Sequence, residues 1–196
     1  MSTVKTTNIT HGSNTGTENL VLASNGNVTV AGALSAGSFT GTFGMFSSYA
    51  LICDQKANNT NGGQPPNTTG YNKRDLNTEI ADADGIVSIS SNEFTLQAGT
   101  YLVKARVPGW RMNRHQAKLY NVTDSSDIQY GTSEYSKDAD APAQTNSEIT
   151  ARFTLSGAKA LAIYHRCANS GGEGYGLAND FSNVQIYTVV EIYKEA

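Results

Sequence analysis

Charge is scarce in this chain. Lys, Arg, Asp and Glu make up 16% of its 196 residues, and the formal net charge is −3. Nucleic-acid-binding domains carry a basic patch or stripe, so the balance gives no electrostatic reason to expect a nucleic-acid partner. Cysteine is nearly absent too. Cys53 and Cys167 are the only two, too far apart for any metal-ligand spacing, and they read as free, partly buried thiols. No apolar run approaches the roughly 20 residues that a spanning helix needs, so membrane insertion is not expected. The opening Met1 to Gly16 is polar and lacks the apolar centre of a secretion signal. Without that signal, the Asn-x-Ser/Thr triplets at Asn8, Asn27, Asn58, Asn67 and Asn121 read as chance in an Asn- and Thr-rich chain. Helical periodicity flanked by caps is missing throughout, which leaves an all-β reading.

What is present is concentrated at the end. Gln185-Ile186-Tyr187-Thr188-Val189-Val190-Glu191-Ile192-Tyr193 reads as a strand apolar or aromatic on both faces. Side chains alternate along a strand, so Ile186, Val190 and Ile192 are expected in the subunit's own core, with Tyr187, Val189 and Tyr193 opposite. A solvated face would be polar. The second face is therefore expected against identical subunits.

The chain changes character near residue 46. Before it, the clearest element is Leu20-Val21-Leu22-Ala23-Ser24-Asn25-Gly26-Asn27-Val28-Thr29-Val30, where Asn25-Gly26 signals a two-residue hairpin turn. An isolated hairpin is marginal in water. The following Ala31 to Gly44 is rich in small residues with Leu34, Phe39 and Phe43 at intervals and Phe46 just beyond. Alone it cannot offset ordering costs of about 1–2 kcal/mol per residue; wound with two identical copies, those four side chains can point to a common axis. The alternative is a Gly/Ser linker. The expected division is an N-terminal stem, 1–46, and a C-terminal head, 47–196.

From Ser47 onward short β-prone runs alternate with turn clusters, the pattern of a sandwich or barrel. Strands are expected at 49–56, 71–77, 86–90, 93–96, 101–107, 116–122, 128–135, 147–155, 159–167 and 184–194, a number that suits a two-sheet jelly roll. Phe94-Thr95-Leu96-Gln97-Ala98-Gly99-Thr100-Tyr101-Leu102-Val103 resembles the signature of the C1q/tumour-necrosis-factor-like jelly roll, in which an apolar pair leads through a turn to Gly-x-Tyr and a core strand. That resemblance implies a compact homotrimer. Leu22-Ala23-Ser24-Asn25-Gly26-Asn27-Val28-Thr29-Val30-Ala31-Gly32-Ala33-Leu34-Ser35-Ala36-Gly37-Ser38-Phe39 resembles stem repeats of bacteriophage tail fibres. Together the two resemblances imply an intertwined β-stem carrying a receptor-binding head on a virion, assembled in the host cytoplasm.

Catalysis has little to stand on. A Gly-x-Ser-x-Gly elbow is absent, and His11, His115 and His165 are scattered. His165 alternates with Leu161, Ile163 and Cys167 on a core face, and with Cys167 on the same strand it has no third group to orient it as a base. Asp82 and Asp84 have a calcium-loop look but lack the closing Glu, so a strand-entry turn is expected, with no metal and no cofactor.

Recognition is the better fit, since loops on a rigid sandwich carry binding in many proteins. Trp110, Arg111, Asn113 and Arg114 cluster in Pro108 to His115, Tyr130 and Tyr135 lie in the stretch Asp124 to Asn146, and Tyr175 sits in a glycine loop. Ala57 to Gly70 is expected to be extended and exposed. Aromatic rings offer large contact area that stacks on sugars, and Arg and Asn add directional hydrogen bonds. For Trp110 the other reading is packing; for Arg111 and Arg114 it is ion pairing with a neighbouring subunit. The expected function is a trimeric tail fibre that adsorbs to bacterial surface polysaccharide or lipopolysaccharide and mounts on tail, baseplate or capsid proteins. A head-decoration fibre without receptor binding and a capsule-degrading enzyme are the alternatives.

Overall fold

The computed structural model describes Asn8–Ile9, Leu20–Leu22, Val28–Val30 and residues 45–136, 143–169 and 172–196. The chain divides into two units, Met1–Thr42 and Phe43–Ala196. In the first, β1 (Asn8–Ile9), β2 (Leu20–Leu22) and β3 (Val28–Val30) form one antiparallel sheet. The hairpin expected around Asn25-Gly26 is present, with a different register. Leu22 pairs with Val28, leaving the odd-length stretch Ala23 to Asn27 between them, whereas a two-residue turn needs an even count. Leu34, Phe39 and Phe43, the expected axial residues of the stem, lie outside the described residues.

The second unit carries β4 (Phe46–Lys56), β5 (Asn72–Lys73), β6 (Thr78–Ala81), β7 (Val87–Ser90), β8 (Glu93–Leu96), β9 (Gly99–Trp110), β10 (Asn113–Asn121), β11 (Ser126–Tyr130), β12 (Glu134–Ser136), β13 (Gln144–Leu155), β14 (Lys159–Cys167) and β15 (Gln185–Glu195). Among the described residues there is no helix. The five-stranded sheet runs β13-β9-β15-β4-β6. The seven-stranded sheet runs β11-β10-β14-β8-β7, with β12 also on β10 and β5 on β14. The two antiparallel sheets make a jelly-roll sandwich. Between them lie Ile52, Phe94, Leu96, Tyr101, Val103, Leu119, Ile149, Leu161, Ile163, Val190 and Ile192, nearly all without exposed surface. Fully burying such a side chain is worth about 1.5–3 kcal/mol.

The terminal strand is the centre of its sheet, paired with β4 on one side and β9 on the other. Its face assignment needs a correction. A register shift falls between Ile186 and Val189, and a one-residue slip exchanges faces. Ile186 is 47% exposed, not in the core, and Tyr187 is 5% exposed and buried in its own subunit. Tyr187 lies against Gly176 and Gly62, where any Cβ would approach its ring to 2.2 and 3.0 Å, and its hydroxyl donates to the Thr60 carbonyl at 2.8 Å. The outer face of β15 therefore reads Val189, Glu191 and Tyr193, all half-buried. The Tyr193 ring stands 5.2 Å from Phe46 and 5.0 Å from Tyr49.

Two further expectations change for local reasons. Residues 71–77 are not one strand: only Asn72–Lys73 pairs with β14. The chain then crosses between sheets, its Arg74 amide donating to Ile163 of β14 and its Asn77 amide to Cys53 of β4. Thr78–Ala81 becomes an edge strand, and Asp82 closes the next turn by accepting from the amides of Ile86 and Val87 at 2.8 and 2.9 Å. The expected strand 128–135 splits at Gly131, whose site leaves 2.7 Å between a Cβ and the Ser147 hydroxyl.

Candidate functional site

Alternation builds the site on the outer face of the seven-stranded sheet. Because His115, Ala117 and Leu119 are buried, β10 turns Arg114, Gln116, Lys118 and Tyr120 outward. Burial of Ile163, His165 and Cys167 does the same for Tyr164 and Arg166 on β14. Register sets neighbours: Arg114 beside Tyr135, Gln116 beside Arg166, and Lys118 between Tyr130 and Tyr164. An open groove of about 620 Å³ runs here, bounded by Thr68, Tyr71, Arg114, Gln116, Glu134, Tyr135 and Arg166. A second depression of about 200 Å³ lies against Tyr71, Lys118, Tyr120 and Tyr164. Tyr71 belongs to both.

The tyrosines are held in place. The Lys118 ammonium lies 4.5, 4.9 and 5.9 Å from the ring centres of Tyr71, Tyr120 and Tyr130, within reach of cation–π attraction. It pairs with Asp127, which also accepts from the Tyr130 hydroxyl at 2.5 Å. These hydrogen bonds, that of Lys118 first, hold the Asp127 carboxyl below its usual range. Tyr120 and Tyr164 meet edge to face at 5.1 Å. Arg114 and Arg166 differ from Lys118: both are exposed, and among the described residues neither has a carboxylate partner. The Glu134 carboxylate on the groove's edge accepts from the Thr132 hydroxyl at 2.8 Å.

Beneath the groove floor the sandwich interior turns polar. Arg74 has no exposed surface. Its guanidinium donates to Thr188 Oγ1 at 3.0 Å, the Pro108 carbonyl at 3.1 Å and the Tyr175 carbonyl at 2.9 Å, and sits 3.9 Å over the Tyr175 ring. Burial lowers its pKa to about 10. Arginine can only donate, so its 3.3 Å contact with His165 Nδ1 fixes that atom as acceptor. His165 Nε2 then donates to His115 Nδ1 at 3.0 Å, and His115 Nε2 donates to Thr145 Oγ1 at 2.8 Å. Both rings are neutral in this chain. Burial, first, and the Arg74 charge hold His165 well below the ordinary imidazole range, and burial pushes His115 down to about 4. Gly109 is required beside them, since a Cβ there would stand 2.7 Å from the His115 ring. Burial also pushes the Cys167 thiol up. The relay runs from Arg74 through His165 and His115 to Thr145 and braces the two sheets.

Of the expected recognition residues, the groove brings together Arg114 and Tyr135, with Tyr130 beside it at Lys118. Trp110, Arg111 and Asn113 lie elsewhere. Strand β9 continues to Trp110 and β10 starts at Asn113, so the expected loop is a short corner between the two sheets, with Arg111 and Asn113 at positive φ. Tyr175 corrects more sharply: at 5% exposure it is a packing residue on Arg74 and His165. Its loop is tied to the supposedly extended 57–70 segment by Gly62 and Gly63 backbone bonds, and Pro65 is buried. Tyr71, Gln116, Lys118, Tyr120, Tyr164 and Arg166 were missed. The signal was available: the core face read for β14 leaves Tyr164 and Arg166 facing out.

No family model matches the sequence, and no curated protein matches it either. Among solved structures, the protein is similar to the globular domain of a zebrafish complement 1qA protein, at 12% identity and a TM-score of 0.48 over 74% of this chain and 95% of that one. Murine APRIL at pH 5.0 is similar at 9% identity and a TM-score of 0.48, over 75% of this chain and 98% of that one. The pH 8.0 form of murine APRIL gives 9% and 0.45 with the same coverage.

Proposed function

We propose that the protein is a homotrimeric virion fibre whose head adsorbs to bacterial surface polysaccharide through the groove on its seven-stranded sheet. The observation that carries this reading is the outer face itself. Tyr71 and Tyr135 flank an open channel floored by Gln116, Arg114 and Arg166. Rings stack on the apolar faces of sugars while guanidinium and amide groups take up hydroxyls. From Arg114 to Tyr120 the strand spans about 20 Å, room for several sugar units of an extended chain.

Self-association is supported by the other sheet. Phe46, Tyr49, Leu51, Leu102 and Tyr193 gather toward one end of its outer face, where a solvated sheet would be polar. Three linked copies of a weak sugar site raise avidity by about a hundredfold or more without any new contact. The stem-like sequence before residue 46 is what suggests a virion fibre.

The test is adsorption of the purified protein to host cells and to their extracted polysaccharide. Binding should be saturable and should fall at least tenfold in Tyr71→Ala and Tyr135→Ala. Undiminished adsorption in both variants would move recognition off this groove. Absence of adsorption, with the labelled protein on the particle head in micrographs, would favour a decorating fibre.

A further inference from the structure

We infer that the groove is built for an acidic polysaccharide, one carrying carboxylate, phosphate or a similar anionic group along its repeat. This rests on the glycan-binding reading of the same groove and narrows it. The argument is a contrast in how the molecule treats its cations. Lys56 pairs with Asp54 and Asp75, Lys73 with Glu93, Lys118 with Asp127, Arg152 with Glu195 and Lys159 with Asp124. Lys104 and Arg106, on the opposite sheet, form no ion pair among the described residues, nor does Lys194, but Lys104 and Arg106 each have an acid directly across in register, Glu191 and Glu148. The two arginines of the groove have no such neighbour. Arg114 is registered against Tyr135, and Arg166 against Gln116.

Two guanidiniums without carboxylate partners among the described residues are notable in a chain with net charge −3. Their spacing is also suggestive. They stand on adjacent strands in a diagonal relation, which places the two Cβ atoms roughly 7–8 Å apart. One anionic substituent could be gripped by both, or two successive ones by each in turn. Guanidinium presents a planar fork of donors that matches carboxylate and phosphate oxygens, and the rings of Tyr71 and Tyr135 line the same groove. Glu134 sits at the rim, bonded to Thr132, and sets a boundary on where the anion can lie. A neutral sugar would meet the guanidiniums through its hydroxyls alone and leave both charges without a counter-charge, whereas an anionic group would add charge-assisted hydrogen bonds.

The experiment is an array of microbial surface polysaccharides sorted into acidic (uronate-, phosphate- or pyruvate-bearing) and neutral members, probed with the full chain. Three proteins are compared: the native one, Arg114→Gln with Arg166→Gln, and Lys104→Gln with Arg106→Gln as a control of equal charge change. Thermal melts and ultracentrifugation establish that all three are folded and share one oligomeric state. The expected result is signal confined to acidic members, at least tenfold above neutral ones. It should weaken as salt rises, be lost in the groove variant and persist in the control. Signal on neutral members only would overturn the acidic assignment while keeping the glycan groove. Acidic signal that survives in the groove variant would overturn it too, by placing the anion elsewhere. No signal on any member would remove both readings.

Discussion

The two outer faces of the sandwich are made from the same alternation and differ in what they leave unmatched. The five-stranded face gathers Phe46, Tyr49 and Tyr193 at one end and sets Lys104 and Arg106 beside Glu191 and Glu148. Those two cations have acids directly across in register, and the rings pack on one another with Tyr49 left exposed. On the seven-stranded face the tyrosines at Tyr71, Tyr120 and Tyr130 are engaged by Lys118, while Arg114 and Arg166 have no acid within the described structure. Unmatched apolar surface calls for a like surface, and unmatched charge beside rigid rings calls for a polar ligand of opposite sign. The difference teaches that a sheet face is classified by its unsatisfied groups, not by its composition.

The strongest test of that division removes what both faces share. Arg74 joins β14, β9, β15 and the Tyr175 loop, so Arg74→Ala should strip partners from several buried groups and cost about 3–5 kcal/mol. Chemical denaturation should show the loss, and a variant of native stability would mean that the hub is not structural. Next in size is the five-stranded face alone. Phe46→Asp with Tyr193→Asp should convert trimer to monomer in ultracentrifugation and lower apparent polysaccharide affinity about a hundredfold through lost avidity, while one-site affinity holds. Retention of the trimer would refute the use of that face.

Acid should weaken the brace between the sheets. In the folded protein His115 titrates near 4, against an ordinary value near 6.5. Between these limits the unfolded chain binds more protons, so stability is full above about pH 6.5 and declines as pH falls toward 4. His165, also depressed, acts in the same direction. From pH 6.5 to 5 the loss from His115 alone should reach about 1–2 kcal/mol, and a flat profile across that window would contradict the neutral relay. Smaller again are the groove rings. Tyr135→Ala should weaken glycan binding about tenfold, or 1.4 kcal/mol, with folding stability changed by no more than about 0.5 kcal/mol. Equal loss from Tyr49→Ala on the other face would erase the contrast. The least effect is expected from Arg152→Gln, since its bond to Glu195 at 2.6 Å is solvent-screened; its melting temperature should match the native protein's.

Much of this plan was legible in residue order. Strict alternation in 147–155 and 159–167 located β13 and β14, and Gly99-Thr100-Tyr101 marked the entry to a core strand. Where reading failed, a backbone irregularity intervened. The bulge before Val189 exchanged the faces of Ile186 and Tyr187, and no periodicity announces such a slip. Nothing in residue order marks Arg74 as buried, because charge in sequence says nothing about three carbonyl and hydroxyl acceptors converging from distant segments. The site suffered from the habit of assigning recognition to loops. Trp110 and Tyr175 stood out among glycines and prolines, whereas the groove uses ordinary outward positions on β10, β12 and β14, and these become a site only once register sets them side by side.

The central claim is that the two faces have separate tasks, ligand on one and self-association on the other. Hydrogen–deuterium exchange of the full chain, free and saturated with extracted host surface polysaccharide, tests it most directly. The account predicts ligand-dependent protection in β10, β12, β14 and the segment around Tyr71, with β9 and β15 unchanged. Protection confined to β9 and β15, or to the corner at Trp110, would contradict it.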